Sequence, residues 1–267
     1  MSRAGVSTSA LSSVVSGTSG PPLLLVHGAG GSIQANYGPV LAPLAKRFRV
    51  IAPDLPGSGA TPASPVPLDL DDLADRVVQT AADAGFETFS IAGFSMGTAI
   101  AVRAATRHPD RVARLVLTAP FARLDEATFK RTQRWLELLD ISRDELAHYV
   151  LKLMVSPEFL GRLAPRQIAG LVELTGLSVP RGAPDQIKLL QRIDVRDDLP
   201  KIAAPTLVVG PTKDRLLSPT LPREVAEEIP GAEFADIPCG HAVALEKPAR
   251  WTELMADFLE RQLSSAP

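Results

Sequence analysis

The chain has 267 residues, of which 45% are hydrophobic and 22% are charged, and this balance predicts one sizeable globular core. The formal net charge is −2 and no basic run is present, which argues against a nucleic-acid-binding surface. A single cysteine, Cys239, excludes an intrachain disulfide framework, and the four histidines lie too far apart to suggest a zinc site. We therefore expect no metal and no cofactor, and any activity should survive dialysis against a chelator.

The first twenty residues resemble neither a membrane span nor a secretory signal. They are rich in Ser, Ala, Val and Thr, their only basic residue is Arg3, and serines interrupt each apolar stretch. No window of 18 consecutive apolar residues occurs in the chain, so no transmembrane helix is expected. We interpret this segment as two short strands, around Val6–Ser9 and Leu11–Ser16, with a disordered tail as the alternative. A cytoplasmic location is expected by default.

Strand and helix patterns alternate along most of the chain, which predicts an α/β fold with a parallel sheet covered by helices on both faces. Several of the strands are continuous apolar runs, as expected where a strand is buried on both sides. Strands are predicted at 23–26, 48–52, 88–92, 112–118, 205–210 and 234–237. Helices are predicted at 37–46, at 96–107, along the apolar stripe from Leu70 to Ala82, and along the stripe from Trp251 to Leu263.

Between Pro120 and Pro200 this alternation stops. The segment contains helical patterns at 124–139, 143–155, 165–176 and 184–193, and no convincing strand. A long helical insertion between two sheet strands predicts a cap over the strand ends. The chain is therefore predicted to consist of a core, 1–120 and 201–267, and a helical cap, 121–200.

The pentapeptide Gly93-Phe94-Ser95-Met96-Gly97 lies between a predicted strand and a predicted helix. This context is typical of a nucleophile elbow, in which a sharp turn exposes a serine above the edge of a sheet. Glycine on both sides removes the Cβ atoms that would clash in so tight a turn. Ser95 is therefore the candidate nucleophile, and the alternative role for it is a helix cap.

Five motifs together resemble the α/β-hydrolase fold family over residues 21 to 263. They are His27-Gly28 after the first buried strand, Asp-Leu-Pro-Gly-Ser-Gly at 54–59, the Ser95 pentapeptide, the strand 205–210 leading to Asp214, and Gly240-His241 before the last helix. Nucleophile, acid and histidine follow one another in the order of that family. The resemblance implies a mostly parallel central sheet, a helical cap and a serine hydrolase activity.

The resemblance also implies a role for each of three side chains. Ser95 would be the nucleophile. His241 would be the general base, because the unperturbed pKa of a histidine lies near neutrality and allows it to take and return a proton. Asp214 would orient that histidine and stabilise its charged form. Asp125 is the rival acid, since some family members place the acid near the strand that precedes the cap, whereas Asp236 lies inside a strand pattern and is interpreted as structural.

The oxyanion hole is expected to use the backbone N–H groups of Ala29 and Met96, one after the His-Gly pair and one after the nucleophile.

His27 is expected to order the glycine-rich loop rather than to act on substrate. Cys239 is expected to be a small buried hydrophobe. Met96 is a candidate pocket wall. Apolar residues of the cap segment that could line the acyl site, although residues at helical spacing more often belong to the core, are Phe121, Phe129, Trp135, Leu139, Tyr149 and Met154.

We expect a serine hydrolase that cleaves a small, apolar ester or thioester through an acyl-enzyme on Ser95, with a small molecule as its partner. A carbon–carbon bond hydrolase of vinylogous diketones stays open, although Phe94 stands where those enzymes have a polar residue and Ala242 where they have tryptophan. A cofactor-free haloperoxidase or perhydrolase is a second alternative. A non-hydrolytic cyclase or ligand receptor on the same scaffold is a third. The pattern does not specify an oligomeric state.

Overall fold

The computed structural model of the protein describes residues 10–261 and places seven strands in one sheet, in the order β1-β3-β2-β4-β5-β6-β7. The first strand runs antiparallel to its neighbour, and every other neighbouring pair is parallel. The strands are β1 Ser13–Ser16, β2 Pro22–Val26, β3 Arg49–Pro53, β4 Phe89–Phe94, β5 Val112–Thr118, β6 Thr206–Pro211 and β7 Glu233–Ile237. The predicted α/β class with a mostly parallel sheet is thereby confirmed.

Helices connect the strands. The first three are α1 Ile33–Ala45, α2 Leu70–Asp83 and α3 Met96–Arg107, and those between β5 and β6 are α4 Glu126–Ile141, α5 Arg143–Met154, α6 Pro157–Leu160, α7 Pro165–Ser178 and α8 Ala183–Leu190. A 3₁₀ turn, Leu199–Lys201, precedes β6. The last three are α9 Leu221–Glu228, α10 Val243–Glu246 and α11 Pro248–Leu259.

Each buried strand lies within two residues of its predicted bounds, but three expectations need comment. Helix α1 begins four residues earlier than predicted, because the Ser32 hydroxyl accepts a hydrogen bond of 3.2 Å from Ala35 N–H and so caps its first turn. Helix α9 and the short helices α6 and α10 were not predicted. Of the two N-terminal strands, the later one is present as β1, and the one at 6–9 lies outside the described residues.

Two buried aromatic side chains, Tyr37 and Trp251, pack against each other and also bond to the central strands of the sheet. Tyr37 of α1 stacks on Trp251 of α11, with ring centroids 5.1 Å apart. The Tyr37 hydroxyl donates to the carbonyl oxygen of Ala92 on β4 at 2.8 Å, and the Trp251 indole donates to Thr118 Oγ1 on β5 at 2.9 Å. These bonds attach two helices to the strands whose ends carry the candidate site.

Helices α4 to α8 form the segment that we call the cap. Its two ends are joined at the base, where Arg123 and Asp194 form an antiparallel bridge and Val195 N–H donates to the carbonyl of Ala122 at 2.9 Å. Inside, the cap has an apolar cluster of its own, which includes Trp135, Leu138, Leu146, Val150, Ala183 and Ile187. The division into core and cap at 120/121 and 200/201 stays a prediction.

Candidate active site

Ser95 stands in a sharply bent backbone between β4 and α3. Its φ is +52° and its ψ is −123°, a conformation that non-glycine residues adopt only where the surrounding structure enforces it. Ser95 N–H donates to the carbonyl of Thr118 at 2.9 Å. A Cβ at Gly93 would lie 2.5 Å from the carbonyl oxygen of Gly97, and one at Gly97 would lie 2.2 Å from that of Val26. Glycine is therefore required on both sides of this serine.

Two further predicted residues meet each other at the same edge of the sheet. Nδ1 of His241, after β7, lies 2.6 Å from Oδ2 of Asp214, after β6. The other carboxylate oxygen of Asp214 accepts the backbone N–H groups of Leu216 and Leu217 at 2.8 and 3.0 Å. Both side chains are buried. The carboxylate is thus fixed on one side by backbone and presents its other oxygen to the imidazole, which leaves Nε2 as the free ring nitrogen.

The rival acid is engaged elsewhere. Asp125 caps α4, where Oδ1 accepts the N–H of Thr128 at 2.7 Å, and Oδ2 accepts the hydroxyl of Ser218. Burial would raise the pKa of Asp125, but the hydrogen bonds from Ser218 and Thr128 outweigh it and hold that pKa below its usual value. Asp236 is on β7 and pairs with Arg223 on the surface, in keeping with its structural interpretation.

Ser95 and His241 line one small closed cavity of about 20 Å³. Gly28, Ala29 and Phe94 contribute the core side of its wall, and cap residues close it from above. The ring of Phe94 packs against the His241 imidazole, with centroids 4.9 Å apart. Ser95, His241 and the loop that follows β2 therefore face a single space.

That loop, residues 27–31, is held by bonds to side chains. His27 Nε2 accepts Leu55 N–H at 2.9 Å, and its Nδ1 lies 2.8 Å from the carbonyl oxygen of Gly28, so this ring is neutral with the proton on Nδ1. Burial lowers the pKa of His27, and the Gly28 bond and the Asp54 charge offset this only in part. The Asn36 side chain accepts Gly28 N–H at 2.8 Å.

Both N–H groups predicted for the oxyanion hole are left without an acceptor among residues 10–261. Ala29 N–H lies between the anchored Gly28 and Gly30, and Met96 N–H is the first of α3. Unpaired N–H groups at a helix start and in a glycine loop suit an incoming negative oxygen. Met96 itself is fully buried, and it lines neither the closed cavity nor the groove next to it.

An apolar groove of about 460 Å³ lies on the other side of the cavity wall. It runs between α1, α5, α7 and α10. Five residues line both spaces and so form the partition between them: Ala29, Asn36, Phe94, Trp135 and Met154. Farther out, its walls include Val150, Leu171, Leu174, Val243 and Leu245. We call this space the outer groove.

Of the six apolar side chains of the cap segment, Trp135 and Met154 line the closed cavity and the outer groove, and the other four line neither space. Phe121 is buried in the core cluster, and Phe129 is 42% exposed on the outside of the cap. Leu139 and Tyr149 pack on the cap's own cluster and line neither space. In each case helical spacing indicated an apolar face without showing what that face packs against.

The single cysteine, Cys239, was expected to be a small buried hydrophobe. Cys239 is buried, and burial together with the nearby carboxylates of Glu246 and Asp214 raises the pKa of its thiol to about 12, so it is inert at neutral pH. Within the part of the chain that the structure describes, no cluster of three or more His, Cys, Asp or Glu side chains could hold a metal. Across residues 10–261, no helix combines the length and the apolar character needed to cross a membrane.

Three polar residues around the site were missed by sequence reasoning. They are Asn36 and Gln186, which bond to the loop after β2, and Glu246. The Glu246 carboxylate accepts Gly240 N–H at 3.0 Å and Ser156 N–H at 2.6 Å, and so joins the histidine loop to the cap. Gln186 and Glu246 bond across 156 and 90 positions of sequence, and Asn36 bonds eight positions back from within α1, where no motif distinguishes it from other polar helix residues.

The chain is similar to several hydrolases in sequence and in fold. The chain is 29% identical over 242 residues to the pyrrolizixenacetamide deacetylase of Xenorhabdus hominickii, which covers 90% of this chain and 91% of that protein. It is 30% identical over 257 residues to the pimeloyl-(acyl-carrier protein) methyl ester esterase of Chromobacterium violaceum, covering 91% and 96%. The enol-lactonase structure from Burkholderia xenovorans LB400 superposes with a TM-score of 0.83 at 25% identity, over 94% of this chain and 96% of that one. The sequence profile of the alpha/beta hydrolase fold matches residues 21–248, and the chain therefore belongs to the alpha/beta hydrolase fold family.

Proposed function

We propose that the protein is a serine hydrolase that cleaves a small, apolar ester or thioester through an acyl-enzyme on Ser95. The observation that carries the proposal is the 2.6 Å bond between His241 and Asp214 beside the strained serine, with Ser95 and His241 on one closed cavity. Relatives that include a deacetylase and a methyl ester esterase support acyl transfer to water. A small-molecule substrate and a cytoplasmic location belong to the same proposal.

In the first half-reaction, Ser95 Oγ attacks the carbonyl carbon of the ester while its proton passes to Nε2 of His241. Asp214 keeps Nδ1 protonated and stabilises the imidazolium that forms. The carbonyl π-bond opens to an oxyanion, which accepts the free N–H groups of Ala29 and Met96. The C–O bond then breaks, and the proton on Nε2 goes to the departing alkoxide, which leaves as the alcohol.

In the second half-reaction, water takes the place of the alcohol. His241 Nε2 removes a proton from the water as its oxygen attacks the acyl carbon, and the same proton returns to Ser95 Oγ when the acyl bond breaks. The products are a carboxylic acid and the free enzyme. The buried imidazole needs no other base, since it is neutral again at the end of each half-reaction.

The substrate class follows from the closed cavity at Ser95 and from the outer groove, which an acyl chain would enter where side chains of the partition move aside. The closed cavity of about 20 Å³ leaves little room at the serine, and the outer groove of about 460 Å³ is lined mainly by aliphatic side chains. In the outer groove the lining contains no Lys, Arg, Asp or Glu. A charged acyl group would be desolvated there without a partner, so an uncharged apolar chain is favoured.

The test combines labelling with turnover. A fluorophosphonate should modify the wild type at Ser95, as located by peptide mass spectrometry, and should leave Ser95→Ala unmodified. Ser90→Ala is the matched control, because Ser90 is a buried serine of β4, the strand that leads to Ser95, and its loss should not alter labelling. Labelling at a different residue would overturn the proposal.

Turnover separates ester hydrolysis from carbon–carbon bond hydrolysis and from a non-hydrolytic role. The wild type should hydrolyse p-nitrophenyl butyrate at a rate that the fluorophosphonate abolishes. A coloured vinylogous diketone offered beside it should be cleaved more slowly than the ester. Rapid diketone cleavage with negligible ester cleavage would instead support the carbon–carbon hydrolase. Labelling at Ser95 with neither activity would support the non-hydrolytic alternative.

A further inference from the structure

A glutamine from the cap reaches into the core beside the candidate oxyanion hole. Gln186 of α8 is 0% exposed, and its Oε1 accepts Gly30 N–H at 2.9 Å. Its Nε2 donates to the carbonyl of Pro56 at 3.0 Å and to Ser58 Oγ at 2.8 Å. The amide orientation is fixed by these partners, because a flipped amide would place oxygen against the Pro56 carbonyl and nitrogen against Gly30 N–H.

The same end of the cap is docked closely on the turn after β3. Gly182 N–H, just before α8, donates to the carbonyl of Gly57 at 3.0 Å. A Cβ at Gly57 would lie 2.4 Å from Gly182 Cα, so the two backbones touch. Trp135 packs over Gly30 from a second cap helix, where a Cβ would lie 2.9 Å from a ring carbon. Gly30 is therefore contacted from two helices of the cap, α4 and α8.

Ala29 lies between two peptide planes that are held from opposite sides. The plane that carries Ala29 N–H also carries the Gly28 carbonyl, which is bonded to the core residue His27. The next plane carries Gly30 N–H, which is bonded to Gln186 of the cap. Because a peptide is planar, holding both planes fixes the rotation of the backbone at Ala29. The direction of the Ala29 N–H thus depends on the core and on the cap.

We propose that Gln186 is a positioning residue, through which the cap holds the loop at residues 27–31 so that Ala29 N–H points at the developing oxyanion. The inference rests on the proposed function, since it presupposes that Ala29 serves as an oxyanion donor. It assigns the cap a part in the chemical step in addition to any part in selecting the substrate. A preorganised donor stabilises the transition state more than the ground state, so its loss should act on kcat.

The test compares two glutamines of the cap. Gln186→Met keeps the size and loses all three bonds, and kcat for p-nitrophenyl butyrate should fall about 10- to 100-fold, less than the cost of deleting a donor, with KM changed by less than about threefold. Gln191→Met is the matched control. Gln191 donates to Thr132 Oγ1 at 3.1 Å inside the cap and does not bond to the loop, so its kcat should stay within about twofold of wild type.

A transition-state mimic distinguishes positioning from simple support of the fold. Phenylboronic acid adds to an active serine as a tetrahedral boronate whose oxygen lies where the oxyanion forms. Its affinity should fall in Gln186→Met by the same factor as kcat/KM and should be unchanged in Gln191→Met. Gln186→Leu also removes the three bonds and places no charge against the Pro56 carbonyl, so it should lose kcat by a similar factor and is the variant to use if Gln186→Met does not fold.

Two results would overturn the inference. One is a Gln186 variant that is folded by circular dichroism, with a lowered Tm but with kcat and boronate affinity within twofold of wild type. The other is an equal loss in Gln191→Met, which would indicate general loosening of the cap. Either result with Ser95 still labelled in an active wild type would leave the proposed function standing, whereas an unlabelled and inactive wild type would remove the proposed function itself.

Discussion

The loops at the edge of the sheet and the inner surface of the cap are built from opposite chemistry. At the edge, directed hydrogen bonds fix the side chains of the candidate site. One carboxylate oxygen of Asp214 accepts two backbone N–H groups, and the other bonds to His241. On the cap, the surface that faces the site is largely aliphatic, with Val150, Met154 and Leu171 along the outer groove. The side chain of Gln186 is the polar link from α8 to the edge loops.

Because of this difference, we expect the sheet edge to position the reacting groups and the cap to select among substrates. A hydrogen bond has a preferred distance and angle, so a bonded loop can hold an N–H or an imidazole in one place. Apolar contact is non-directional and scales with the area removed from water, so an aliphatic groove can accept chains of different shape. We therefore expect changes at the sheet edge to act on the rate of the chemical step. Changes along the cap should act on the order of preference among substrates.

The largest effect should follow from removing the nucleophile. Ser95→Ala is expected to lower kcat by roughly 10⁴- to 10⁶-fold, the scale of losses for residues that act as one catalytic unit. Steady-state hydrolysis of p-nitrophenyl butyrate at pH 7.5 measures it. A variant that keeps activity within tenfold of wild type would mean that the edge of the sheet is not where the chemistry takes place.

The next largest effect should separate the two candidate acids. Asp214→Asn is expected to lower kcat by about 10³- to 10⁴-fold, because the amide no longer holds His241 in the tautomer that accepts the serine proton. Asp125→Asn is the matched control, since Asp125 caps α4 and is bonded to Ser218 rather than to a histidine. It should leave kcat almost unchanged and change the Tm little, because asparagine caps the start of a helix about as well as aspartate does. The reverse pattern would assign the acid to Asp125.

The cap should give smaller effects that depend on the substrate. Each added methylene contributes roughly 0.8 kcal/mol on burial, so kcat/KM for p-nitrophenyl esters should rise about threefold to fourfold per carbon until the outer groove is full. A series from acetate to octanoate measures this. A profile that is flat or falls from acetate onward would mean that the outer groove does not hold the acyl chain.

Two leucines of α7 sharpen the same test. Leu174 lines the outer groove and is 62% exposed, whereas Leu177 is 69% exposed and lines a separate surface depression. Leu174→Asp should lower kcat/KM for octanoate about threefold to tenfold and leave acetate unchanged, because it places a charge beside the far end of the chain only. Leu177→Asp should change neither substrate. Equal losses in both variants would point to an effect on α7 as a whole.

The same division explains how much could be predicted from the sequence. Ser95, Asp214 and His241 were selected by the family resemblance, and they follow β4, β6 and β7, whose parallel order brings their carboxyl ends to one edge of the sheet. Their roles in catalysis stay predictions. The fold class and the family resemblance are confirmed.

The cap could not be predicted in the same way. Phe129 and Trp135 lie on one helix, six residues and therefore about 120° apart around its axis. Periodicity gives this angle between the two side chains but does not show which side of the helix faces the site. The first is exposed and the second lines the cavity. Gln186 bonds to Gly30 across 156 positions of sequence, and nothing in its surroundings distinguishes it from any polar helix residue.

The smallest effect concerns pH and tests whether the edge loops depend on a neutral His27. Burial is the main cause of the lowered pKa of His27 in the folded protein, so the folded state disfavours the imidazolium relative to the unfolded chain. The stabilisation from this group is therefore fully present above the unfolded pKa of about 6.5, and is lost as the pH falls from there through the folded pKa, by at most about 1.4 kcal/mol per pH unit.

His27→Gln does not titrate, so its deficit in Tm against the wild type should be largest at pH 7.5 and should narrow toward pH 5. His148→Gln is the control, because His148 is 54% exposed and its loss should give a small Tm difference that does not follow this trend. A His27→Gln deficit that stays constant between pH 7.5 and pH 5 would show that the buried ring is not the group that makes the loop sensitive to acid.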